Sequence, residues 1–121
     1  MTGLRQLILT AIALCVTACN PPMRTMKLAI RAEGGAVYDV LFAASPARGE
    51  HVLSFRSSVL TNIMLTGVNF SFVVNNVTNT GSVAVTVFLD GVESGSSKGS
   101  DMVGGWFKPT MGAKKVSIHG E

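Results

Sequence analysis

Beyond residue 19 the chain contains no cysteine; its two, Cys15 and Cys19, both stand near the start. The bulk of the sequence therefore holds no internal disulfide, no CxxC redox pair and no thiolate zinc site. A domain built from it must be held by its apolar core. Charge is scarce too, at 14% of residues against 47% hydrophobic. That balance excludes a disordered tail, which combines high charge with few β-branched residues. The net charge is only +3, and Lys114-Lys115 is the one adjacent pair of basic residues. Without a clustered basic stripe, nucleic acid is not an expected partner. Helical periodicity is missing after the first nineteen residues. The longest apolar stretch, residues 7–16, falls short of the ~20 residues of a transmembrane helix.

What is present begins at the N-terminus. Arg5 supplies a small positive region, residues 7–16 are apolar except for Thr10, and small residues then lead to Cys19. That order is a secretory signal. Val16-Thr17-Ala18-Cys19 resembles the lipobox of bacterial lipoprotein precursors. The resemblance implies that the Cys19 thiol receives a diacylglycerol, that cleavage leaves Cys19 as the first residue, and that its amine is acylated with a palmitate-type chain. Two other fates fit the segment: secretion with cleavage nearby, or retention as an uncleaved anchor. Each buried methylene contributes about 0.8 kcal/mol, and two or more chains hold stably. Asn20, rather than Asp, follows the cysteine. By the same resemblance the destination is the outer membrane, or the outer cell surface if the host has a single membrane. The expected division is a signal over 1–18, a lipidated Cys19 and tether over 19–25 containing Pro21-Pro22, and one domain over 26–121.

From Met26 the pattern has period two. Met26, Leu28 and Ile30 alternate with Lys27 and Arg31, the signature of a strand with one wet face. Gly34-Gly35 turns the chain. Residues 37–42 and 51–57 read as strands separated by a Ser45-Pro46-Ala47-Arg48-Gly49 loop. Residues 60–66 and 69–75 read as two further strands, and 76–81 as a polar turn. Residues 82–90, dense in valine and apolar on nearly both faces, predict a central strand. Asp90-Gly91 is a favoured hairpin pair. Residues 95–99 read as a flexible loop, 102–107 as a strand and 114–119 as a closing strand. Seven or eight short strands predict an all-β fold, a small antiparallel β-sandwich of immunoglobulin-like or transthyretin-like type after an N-terminal signal helix. The expected core is Leu28, Ile30, Tyr38, Val40, Phe42, Leu53, Phe55, Ile63, Leu65, Phe70, Phe72, Val83, Val85, Val87, Phe88 and Ile118. The segment from Gly81 to Glu93, a strand, Asp90-Gly91 and a return strand, preceded by Val37-Tyr38-Asp39-Val40, resembles small MmpS-like cell-envelope sandwich proteins, accessory to lipid and siderophore exporters. The second cysteine pair of some of those proteins is missing here.

Candidate chemistry is thin. Gly95-Ser96-Ser97-Lys98-Gly99 formally matches GxSxG, and Asp101 and His119 follow in the hydrolase order. That motif needs a strained strand-to-helix elbow, whereas no helical pattern follows here, so a Gly/Ser loop is the expectation. His51 and His119, the only histidines, offer no metal-ligand spacing. The seven carboxylates single out no facing pair of the glycosidase kind. Asn69-Phe70-Ser71 and Asn76-Val77-Thr78 are sequons that matter only in a eukaryotic chain. Trp106-Phe107, between Gly104-Gly105 and Lys108-Pro109, fits either a plug at one end of the core or an exposed contact, Trp being favoured at interfaces and headgroups. The expectation is a non-enzymatic, membrane-anchored envelope module, without metal, cofactor or small-molecule substrate. It would bind an envelope protein, with Trp106, Phe107, Lys108 and the 95–101 loop as candidate contacts. Alternatives are an accessory subunit of an exporter or secretion system, and a phage- or plasmid-encoded exclusion lipoprotein.

Overall fold

The structure, a computed structural model, describes residues 21–121. The expected signal and the lipidation site Cys19 lie outside the described residues. Eight strands follow one another: β1 Arg24–Glu33, β2 Tyr38–Arg48, β3 Val52–Ser57, β4 Thr61–Asn76, β5 Ser82–Leu89, β6 Val92–Gly99, β7 Met102–Phe107 and β8 Ser117–Gly120. A short 3₁₀ turn, Pro109–Met111, lies between β7 and β8. Every pairing is antiparallel. The expected all-β, sandwich-like class is therefore what the chain adopts.

β4 makes two layers out of one ladder. One of its edges pairs with β2 from Thr66 to Asn76. The other pairs first with β1, over Thr61 to Gly67, and then with β7, over Phe70 to Asn75. At Thr66 and Gly67 it is paired on both edges at once. One layer is thus the first half of β4 with β1, β5 and β6; the other is β3, β2, the second half of β4, β7 and β8. On one side the layers meet, where the Glu121 carbonyl accepts from the amides of Asp101 and Met102 at 2.7 and 3.1 Å. On the other side β3 and the start of β4 are edges. There the Tyr38 hydroxyl donates to the Val59 carbonyl at 2.6 Å and lies 2.7 Å from Thr61 Oγ1, tying β2 to the β3–β4 connection.

Alternation fills the space between the layers. Met26, Leu28 and Ile30 of β1 stand beside Val83, Val85, Val87 and Leu89 of β5 and share one core with the aromatic pair Phe42 and Phe70 of the other layer, whose ring centroids are 6.4 Å apart. Most of the expected core is buried. Leu53, Phe55, Ile63 and Ile118 are only partly covered, the first three because they lie on β3 and the start of β4 beside the open side. Phe88 is a correction: it faces outward, with the Lys27 ammonium 4.3 Å from its ring centroid. Met26, Val74, Leu89, Val103 and Phe107 are core residues beyond those expected.

Five strand assignments differ from expectation. The 45–49 loop is mostly strand, because β2 resumes pairing after Pro46, with Ala47 opposite Gly67 and Arg48 opposite Thr66. Only the position of Pro46, which has no amide to donate, is skipped. The strands expected over 60–66 and 69–75 are one, because β2 pairs on both sides of their junction and misses only Val68, opposite Pro46. The expected flexible loop over 95–99 is the body of β6, held in register by β5. The closing strand starts at Ser117, and β1 starts at Arg24, inside the expected tether.

The Asp90-Gly91 turn is present, with φ of 51° and 83°, the pair of positive values that a tight type I′ hairpin requires. The Asp90 carboxylate accepts from the Thr25 amide at 2.9 Å and from Arg24 Nε at 2.8 Å. The backbone amide first, and the guanidinium second, hold its carboxyl below the usual aspartate range. Arg56 does the same to Asp39, and Lys98 to Glu33. A carboxylate lowered in the folded state stabilises fully above its unfolded pKa of about 4, and loses that contribution as pH falls through the lowered value. The melting temperature followed by circular dichroism is expected to be flat near neutral pH and to fall on acidification below about pH 4. Asp90→Asn keeps the acceptor for Thr25 and tolerates the turn conformation, so its acid decline should be shallower. An unchanged acid limb would show that the ion pair contributes nothing.

Candidate functional site

Antiparallel register sets the second layer out in rows. One row crosses it as His119, Gly104, Val73, Leu41 and Ser54, and the next as Ser117, Trp106, Ser71, Ala43 and Val52. Successive strand residues point to opposite faces. The core-facing row between these two holds Phe72, Phe42 and Leu53, so the two rows above belong to the outer face. A face turned to water is expected to be polar. This one instead exposes Leu41 by 50%, Val52 by 42% and Trp106 by 42%, and Leu41, Val52 and Val73 share a shallow groove with Ala43 and Ser71. At one margin Arg56 and Asp39 form a two-pronged ion pair at 2.6 and 3.0 Å. At the other, the Trp106 ring meets His119 edge-on, with centroids 6.0 Å apart.

The face ends at β3, which pairs only with β2 among the described residues. The Ala44 amide donates to the His51 carbonyl at 2.9 Å. In an antiparallel ladder such hydrogen-bonded pairs alternate with unbonded ones. His51, Leu53, Phe55 and Ser57 therefore turn their backbone groups toward β2. Val52, Ser54 and Arg56 turn theirs outward, away from any partner strand.

The residues singled out in the sequence fall in several places. Trp106 and Phe107 are separated by the pleat: Trp106 is on the outer face, while Phe107 is 3% exposed, with the Arg24 guanidinium 5.5 Å from its ring centroid. Phe107 is thus a core residue and not a surface contact. Lys108 borders a small recess with Ala43, Asn69 and Ser71. Ser97 sits in mid-strand opposite Val85, not on a strand-to-helix elbow. Asp101 is in the β6–β7 turn, where its carbonyl accepts from the Asn76 amide at 2.8 Å. His119 is on the outer face of β8, and no hydrogen bond joins it to Ser97 or Asp101 among the described residues. His51 lies at the start of β3, across four strand pairings from His119. Among the described residues no group of three His, Cys, Asp or Glu side chains is arranged to hold a metal. The sequon asparagines are turn-builders: the Asn69 side-chain amide donates to the Ser45 carbonyl at 3.0 Å, and that of Asn76 to the Thr80 and Ser100 carbonyls at 3.0 and 2.9 Å.

Sequence reasoning did not find Leu41, Val52 and Val73 as surface features. Each was visible as the outward member of an alternating strand, but their convergence depends on the strand order. Comparison of the chain with family models, characterised proteins and solved structures gives no match.

Proposed function

We propose that the chain is a membrane-anchored, non-enzymatic binding module of the bacterial envelope, held by lipid on Cys19, that takes up an extended segment of an envelope protein along β3. The lipobox resemblance of residues 16–19 supports the anchor. The observation that carries the binding reading is an apolar outer face ending in an unpaired strand. An added strand would satisfy the outward backbone groups of Val52, Ser54 and Arg56, and its alternate side chains would extend the surface made by Leu41, Val52 and Val73. Native sheets commonly blunt free edges with proline, bulges or unpaired charge. β3 has no proline, and its only charge, Arg56, is already met by Asp39.

Ser54→Pro tests this directly. The Ser54 amide points away from β2, so proline there removes no ladder bond of the domain and only blocks an incoming strand. A photo-crosslinker at Val52 in native membranes is expected to capture a partner in the wild-type background. Capture should be lost in Ser54→Pro while the melting temperature is unchanged. Equal capture by a folded Ser54→Pro protein would rule out strand addition at β3.

A further inference from the structure

The domain is electrically polarised along its strands. At the end where β1 begins, Arg24 Nε binds Asp90 Oδ2 at 2.8 Å in the β5–β6 turn. Arg48 lies there too, opposite Thr66, whose hydroxyl is 3.1 Å from that of Thr25. The segment after β7 folds onto the same end, with Thr110 Oγ1 donating to Asn69 Oδ1 at 2.9 Å. Lys114 and Lys115 just precede Ser117, which pairs with Trp106 near the end of β7.

The ion pairs of the described residues use Arg24, Arg31, Arg56 and Lys98. The basic side chains left without a carboxylate among those residues are Lys27, Arg48, Lys108, Lys114 and Lys115. All five lie toward the Arg24 end. Two carboxylates outside the ion pairs share that end, Glu50 just after Arg48 and Glu93 opposite Phe88, and five cations against two leave it net positive. The opposite end holds Glu33, Asp101 and Glu121, with Arg31 and Lys98 both spent on Glu33. Met23 at 39%, Val92 at 67% and Met111 at 78% are exposed at the cationic end, while among the described residues the other end exposes only branched chains, Val59, Leu60 and Val77. Interspersed Lys and Met are suited to a headgroup layer, where ammonium groups meet phosphates and thioether chains reach the acyl boundary.

We propose that this end is a docking surface for an anionic lipid bilayer. The inference rests on the Cys19 anchor, because the tether selects the occupant. Five residues from Cys19 to Arg24 reach at most about 18 Å, so lipid on Cys19 brings this end of the strands, and no other, down to the headgroups. Once there, the lysines lie within the roughly 8 Å over which surface charge is felt at physiological salt. Docking would stand the strands up from the bilayer and hold the β3 edge at a fixed height and angle above it.

The test uses the full chain in lipid nanodiscs, of phosphatidylcholine alone or mixed with phosphatidylglycerol. Trp106, the only tryptophan, reports on the docking end through quenching by headgroup-spin-labelled lipid. Quenching should be strong in the anionic discs and weak in the zwitterionic ones. It should fall in K108E/K114E/K115E while that protein still co-elutes with the discs and melts as the wild type does. One lysine near an anionic surface is worth roughly fivefold in occupancy, so reversing three should lower docking by more than about tenfold. Quenching that is equal in both lipids, or that survives the triple reversal, overturns the proposal. Cys19→Ala in a chain that begins at residue 19, without the apolar residues 7–16, reports on the anchor separately. Its release from the discs upholds the anchor, and its retention removes the anchor reading while the wild-type lipid dependence still judges the surface.

Discussion

Gly105→Val is expected to destabilise the domain severely. Gly105 lies in β7 directly opposite Phe72 of β4, and the Phe72 ring covers it. A Cβ at this position would stand 2.6 Å from Phe72 Cζ and 2.9 Å from Cε1, and would press on the Ser117 carbonyl. The ring cannot swing clear, because Phe72 is 5% exposed and packed into the core. The carbonyl cannot retreat either, because it is backbone of β8 in register with β7. Overpacking typically costs 1–3 kcal/mol and sometimes more; with both neighbours fixed, we expect a loss of at least about 3 kcal/mol for valine. A domain of this size has only about 5–15 kcal/mol in total. The melting temperature should fall by roughly 12 °C or more, measured by thermal denaturation. Ser71→Val is the control: it adds the same kind of side chain on the solvent face of the neighbouring strand and should melt within a few degrees of wild type. A Gly105→Val protein that melts with the control would show that the close approach of β7, β8 and Phe72 is not as described.

Cys19→Ala should strip the protein of its acyl chains and leave residues 1–18 attached. At about 0.8 kcal/mol per buried methylene, one acyl chain binds only reversibly and a second makes residence stable. Removing the thiol removes the diacylglycerol, and with it the cleavage that exposes the acylated amine. Palmitate labelling should vanish, and the intact mass should begin at the N-terminus of the uncleaved chain instead of at residue 19. Intact mass of the wild-type material should begin at residue 19 and carry the mass of the lipid. An unmodified N-terminus on native wild-type protein would remove the anchor, and with it the envelope as the place of work.

The fold was legible where local pattern and tertiary environment agree. In β5, Val83, Val85 and Val87 alternate without interruption into Asp90-Gly91, and both strand and turn are where the pattern puts them. It was illegible where a strand exists because of its neighbour. Gly95 to Gly99 have no apolar alternation and read as a loop, yet β5 pairs with every one of them and the small side chains accept it. β4 reads as two strands because Gly67 interrupts its apolar run. Its continuity comes from β1 and β2 pairing with the same two residues from opposite edges. Phe88 shows the limit of a run that is apolar on both faces, since only the arrangement of Lys27 beside it tells which side is wet. The outer-face surface illustrates the same point at longer range. Leu41, Val52 and Val73 are single outward residues on three strands, and nothing in their local sequence says that β3, β2 and β4 lie side by side. The separation of Trp106 from Phe107, by contrast, follows from strand alternation alone once residues 102–107 are read as a strand.

The position of β1 has a mechanical consequence. The first strand is not an edge: it lies between β4 and β5, paired with β4 from Arg24 to Ile30 and with β5 from Met26 to Glu33. With the proposed lipid anchor on Cys19, tension from a bilayer would pull on β1 along its own axis. Both flanking ladders bear that load in shear, with many hydrogen bonds strained together, instead of being unzipped one at a time. A module attached in this way can be tugged by envelope movement without being unravelled from its point of attachment.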